Sequence, residues 1–151
     1  MSPSFAPAGE RRELERHPAY LAWRLACEDP RPPAAIETLK LEKRKSAVYR
    51  LTLRGRGRRS AIAKRRPQGE LAMEARLHEE LLPDLGIGTL ELYGYVTSYD
   101  GFDWLFLEDA GETRYSRDAS EHRSLAADWL GRLHAGAAPG PSWLPDTGPA
   151  Y

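Results

Sequence analysis

Cysteine is almost missing from this chain: Cys27 stands alone among 151 residues. One thiol excludes an internal disulfide and any cysteine-cluster metal site. Long apolar runs are also missing. No stretch of eighteen apolar residues occurs, so no transmembrane helix and no membrane partner are expected. The first thirty residues lack a basic start followed by an apolar core, so no secretory signal is visible and the cytoplasm is the expected location. Net charge is absent, with 22 basic and 22 acidic side chains, and the total points to neither nucleic acid nor membrane. The four histidines, His17, His78, His122 and His134, lack metal-ligand spacing. Gly86-Ile87-Gly88 lacks the further glycine and the strand-to-helix setting of a dinucleotide loop.

What is present suits a globular chain of ordinary size, with 41% apolar and 29% charged residues. The zero charge is an average over uneven parts. Residues 1–39 sum to −1, and residues 40–66 carry twelve basic groups against Glu42 alone, a net +11. Residues 67–151 carry five basic and fifteen acidic groups, a net −10.

Residues 1–9 read as a disordered start. A helix is expected over 10–27, broken or reopened by Pro18. Pro30, Pro32 and Pro33 stop it. Strand patterns follow. Glu37–Glu42 alternates with Leu39 and Leu41 on one face, and Ala47–Arg54 places Tyr49, Leu51 and Leu53 opposite Arg50, Thr52 and Arg54. Gly55-Arg56-Gly57 signals a turn before a short strand, Ser60–Arg65. Residues 69–82 switch to helical period, closed by Pro83 and Gly86. Leu90–Ser98 and Trp104–Leu107 are strand-like and flank the hairpin signal Asp100-Gly101. Asp118 with Glu121 predicts a capping box for a helix over 119–135, whose apolar face holds Leu125, Ala126, Trp129, Leu130 and Leu133. Residues 136–151, with four prolines, form a tail. The expected class is α+β, with a five-stranded antiparallel sheet and one packed helix.

Two charges stand where apolar residues belong. Lys64 shares a strand face with Ile62, two residues back. On the following helix, Leu71, Leu77, His78 and Leu81 all fall within about 60° of Glu74 at about 100° per residue. Glu74 therefore sits at the centre of the apolar arc and needs a partner. Lys64, ten residues upstream on the strand this helix must cover, supplies it. A lysine that holds nucleotide phosphates and a glutamate that holds the lysine are what a kinase site requires.

Ala61-Ile62-Ala63-Lys64 resembles the kinase Val-Ala-Ile-Lys strand. Glu74-Ala75-Arg76-Leu77-His78-Glu79-Glu80-Leu81 resembles the next helix in the aminoglycoside phosphotransferase family, small-molecule kinases with a protein-kinase-like fold. Phe106-Leu107-Glu108-Asp109-Ala110-Gly111 looks like that family's hinge, and Leu130-Gly131-Arg132-Leu133-His134-Ala135 like the helix opening its second lobe. The resemblance spans roughly residues 36–138 in consistent order. It implies an extension with a helix over 1–35, a nucleotide-binding lobe over 36–108, and a hinge, connecting helix and Pro/Gly-rich tail over 109–151. It implies ATP with Mg as cofactor and a small-molecule hydroxyl as substrate. Lys64 and Glu74 would serve the phosphates, and Glu108, Asp109 and Ala110 the base. The loop Glu42–Ala47 has no glycine, which departs from the protein-kinase pattern. Ser46 and the amides around it are the candidate phosphate cap, and a solvated hairpin tip is the other reading.

No His-x-Asp follows residue 111, and the only acid after His134 is Asp146. Catalytic and Mg-binding aspartates are thus expected to be missing from this chain, as in a cut kinase. A noncatalytic binding or adaptor module that keeps only this lobe is the alternative. A nucleic-acid partner is not expected: the basic segment offers one aromatic, Tyr49, for stacking, and no recognition motif.

Overall fold

The structure, a computed structural model, describes residues 8–55 and 59–145. Arg56 and Gly57 of the expected turn, and Asp146 in the tail, lie outside the described residues. Helices α1 (Ala8–Arg16) and α2 (Pro18–Cys27) come first, then β1 (Ala35–Glu42), β2 (Ser46–Thr52) and β3 (Ser60–Pro67). Helix α3 (Ala72–Arg76), strands β4 (Leu92–Tyr99) and β5 (Phe102–Glu108), and helix α4 (Ser120–Gly136) follow. The five strands form one open antiparallel sheet in the order β1-β2-β3-β5-β4, so the fold is α+β as expected. No helix of the described residues is long and apolar enough to cross a membrane.

The chain divides into two compact units. One runs to Ala75 and adds Leu90–Gly111, and the other holds Arg76–Thr89 and the residues from Glu112 onward.

In the first unit the sheet has two unlike faces. One carries Ala47, Tyr49 and Leu51 of β2, Ala61 and Ala63 of β3, and Trp104 and Phe106 of β5, all buried. The cross-strand row Tyr49, Ala63, Phe106 alternates large, small, large. The methyl of Ala63 leaves room for the side chains of α2, and packing at crystal-like density depends on such alternation. Trp23 of α2 packs on β4 and β5, edge-on to Phe106 at 5.3 Å and to Tyr93 at 6.2 Å. The core therefore takes in Ala19, Tyr20, Ala22 and Trp23 from the N-terminal segment. One packed helix was expected; α2 covers this face and α3 the other.

Local chemistry explains the boundaries. Pro18 takes the first position of α2, where no amide is needed. His17 caps that helix, its Nδ1 accepting from the Ala19 amide at 3.2 Å. Burial lowers the His17 pKa, which keeps the imidazole neutral and able to accept. Asp100 and Gly101 turn the β4–β5 hairpin with φ of 53° and 81°, the left-handed pair such a tight turn requires. The β1–β2 register shifts between Thr38 and Lys40, so Leu39 drops out of the pairing; Leu39 and Leu41 are both exposed on this edge strand.

In the second unit, the single α-helix expected over 69–82 is not found. After Arg76 the backbone passes into a wider turn over Leu77–Leu81 and a tight turn over Leu82–Leu85. The wider turn holds more residues than an α turn, which shifts the helical phase, and Leu82 is buried in place of Leu81. The capping box at Asp118 is also absent. Helix α4 starts one residue later, with Ala119 at the cap position and no side-chain cap. Asp118 is thereby outside the position from which its carboxylate meets the first amides. Trp129 of α4 donates its Nε1 to the Gly88 carbonyl at 2.6 Å.

Candidate functional site

Lys64 and Glu74 meet. Strand alternation turns Lys64 away from the face that Ala61 and Ala63 give to α2, and α3 lies on the Lys64 face through Leu71 and Ala75 against Leu105 and Leu107. Lys64 Nζ donates to Glu74 Oε1 at 2.6 Å and to Oε2 at 2.7 Å. The pair is half-buried, with side-chain exposures of 30% and 32%, less enclosed than the expected buried carboxylate. The third ammonium hydrogen has no acceptor among the described residues. A fixed cation with one side open to solvent is chemically able to take an anionic oxygen.

Ser46 opens β2 on this same face, since Val48 is the residue opposite Lys64 and Ser46 precedes it by two. That places Ser46 about 7 Å further toward the β1–β2 hairpin tip. Its side chain is buried. Arg44 at the tip adopts φ 64° and the Lys45 amide closes the turn on the Glu42 carbonyl at 3.0 Å.

The three segment-end candidates, Glu108, Asp109 and Ala110, lie beyond Leu105 and Leu107, and their side chains have distinct roles. Glu108 is exposed and accepts from the Glu91 amide at 3.1 Å through Oε2. Asp109 is engaged on all sides: Arg50 Nε donates to it at 2.7 Å, Ser60 Oγ at 2.8 Å and the Gly111 amide at 2.9 Å. Burial alone would raise the Asp109 pKa, but these three hydrogen bonds and the guanidinium outweigh it and hold the carboxyl below its usual range. The Asp109 carboxylate is thus committed to the fold. Ala110 is exposed. A polar cavity of about 340 Å³ opens at this end, lined by Arg59, Ser60, Glu91, Tyr93, Glu108 and Asp109. Burial, with Glu91 and Glu108 nearby, raises the Tyr93 pKa and keeps the phenol protonated.

Sequence reasoning missed Arg50, Ser60 and above all Asp103. Asp103 has no exposed surface and lies on the Lys64 face of β5. The strand pattern was read only from Trp104, so Asp103 fell between it and the Asp100-Gly101 turn signal, whereas β5 begins at Phe102. Among the described residues no group of three or more His, Cys, Asp or Glu side chains is placed to hold a metal ion.

The chain matches no protein-family model, no curated protein and no solved structure.

Proposed function

We propose that this chain is the nucleotide-binding lobe of a small-molecule kinase of the aminoglycoside phosphotransferase type. The observation that carries the reading is the Lys64–Glu74 pair, a bidentate contact at 2.6 and 2.7 Å between a strand and the next helix, with one ammonium hydrogen to spare. Lys64 would hold nucleotide phosphate oxygens, and Glu74 would keep the ammonium aimed. Ser46 and the amides of the β1–β2 tip would cap a phosphate from the same face. The backbone of Glu108–Ala110 would meet the base. ATP would supply the transferable phosphoryl group when bound, and the aspartates that would bind its Mg are expected to be missing from this chain. A small-molecule hydroxyl is the acceptor that the resemblance implies. These 151 residues are expected to bind nucleotide without turning it over.

Titration with a non-hydrolysable ATP analogue tests the reading. Lys64→Ala should weaken binding by about tenfold or more, the value of a hydrogen bond to a charged group. Undiminished binding by that variant removes Lys64 from the site.

A noncatalytic binding module is the second reading, favoured by the cover that α2 and α3 give to both faces of the sheet. A folded, monodisperse chain that binds no nucleotide would decide for it.

A further inference from the structure

A carboxylate in the middle of a strand is costly to bury unless every lone pair is met. Asp103 is met by four donors from two other parts of the first unit. From β4, Thr97 Oγ1 donates to Oδ1 at 2.7 Å and the Tyr95 hydroxyl to Oδ2 at 3.1 Å. From the turn between β3 and α3, the Gly69 amide donates to Oδ2 at 2.8 Å and the Leu71 amide at 3.4 Å. These amides belong to the chain that becomes α3. The Ala75 amide returns to the Leu71 carbonyl at 2.9 Å, so the residue that Asp103 holds by its amide is the one whose carbonyl takes the first bond of the helix. Glu74 stands three residues beyond Leu71.

We propose that Asp103 is a positioning residue for Lys64: by gripping the Gly69 and Leu71 amides it sets the start of α3 so that Glu74 reaches the lysine ammonium. It touches no ligand and acts through the helix. The two amides can only donate and need an oxygen; a carboxamide keeps one for them and can give its N–H to the Thr97 hydroxyl, so releasing them takes removal of the side chain. The proposal rests on Lys64 being the phosphate-binding group, and only for its functional meaning.

The test uses the full chain without nucleotide and reads acetylation of each lysine by acetic anhydride with peptide mass mapping. The chain has only Lys40, Lys43, Lys45 and Lys64, so Lys43 and Lys45 serve as internal references. Asp103→Ala should speed Lys64 acetylation about two- to fivefold, the span of a half-exposed ion pair, with the references unchanged. Glu74→Gln should give the same rise, and the double variant no more than either. A rise in the double variant equal to the product of the single ones, or a Lys64 still protected in Asp103→Ala, overturns the proposal. If Asp103→Ala does not fold, Asp103→Glu keeps the charge and moves its oxygens off the two amides by one methylene. Faster Lys64 acetylation then upholds the proposal and an unchanged rate overturns it. ATP titration of the same variants separates the two readings. An unvaried chain that binds no ATP sinks the nucleotide reading, while the acetylation comparison still decides the role of Asp103.

Discussion

Arg50 on β2 reaches past β3 to Asp109, its Nε donating to Oδ2 at 2.7 Å over a sequence separation of 59 residues. Ser60 of β3 joins the same oxygen at 2.8 Å. One carboxylate thereby ties the end of β5 to two neighbouring strands. Asp109→Asn should cost about 1–3 kcal/mol, the penalty of leaving a charged donor and a hydroxyl poorly matched. Urea unfolding should show a lower midpoint with an unchanged slope. A midpoint like that of the unvaried chain would make the tie dispensable.

Two enclosed carboxyls contribute to the acid response. Asp103 and Asp109 both have folded pKa values below their ordinary ones; burial opposes this in each, and hydrogen bonds together prevail. A depressed folded pKa means the unfolded chain binds protons more readily. The stabilisation is full above the unfolded value of about 3.9 and fades as pH falls through the folded values. Asp103→Asn should therefore be less stable at neutral pH and lose less on acidification. Melting temperatures between neutral pH and pH 2 would show the shallower slope.

Gly94 marks the closest approach of α2 to β4. A Cβ placed there would lie 2.5 Å from the Ala26 carbonyl oxygen and 2.8 Å from Cys27 Sγ. Backbone cannot yield as a side-chain tip can, so Gly94→Ala should cost about 1–3 kcal/mol through displacement of α2. Burial, helped by Asp29, pushes the Cys27 thiol up to about 12. Cys27 should therefore resist an aromatic disulfide reagent at pH 8 in the unvaried chain and react faster in Gly94→Ala. Equal rates would mean that α2 adapts without moving.

Trp23 tests whether the N-terminal helices belong to the core. It is 5% exposed and packs on Phe106 and Tyr93. Trp23→Ala should cost about 3–5 kcal/mol, the range for a buried aromatic. A small loss would make α2 an appendage.

Patterns with a short period were legible in the sequence. Alternation in Ala47–Arg54 placed Tyr49 and Leu51 inward, and both are buried. Asp100-Gly101 marked its turn by the one conformation those residues accept. Lys64 and Glu74 were legible as a pair because each broke a local rule, and the strand and helix that carry them adjoin in the chain. The helix failed as a regular element after Arg76, where a wide turn shifted the phase that periodicity had assumed.

Relationships between distant segments were decided by the tertiary structure alone. Nothing near Asp103 in the sequence announces that the Gly69 and Leu71 amides will arrive beside it; β3 pairing with β5 brings them there. Arg50 read as an outward residue of a basic strand until the strand order set Asp109 within its reach. The helices before residue 35 showed a helical pattern but no destination, which Phe106, Tyr93 and the bare Gly94 supply for α2. Side-chain direction follows from local backbone geometry and can be read residue by residue. The partner at the end of that direction depends on which strands lie side by side, a choice made by the whole core at once.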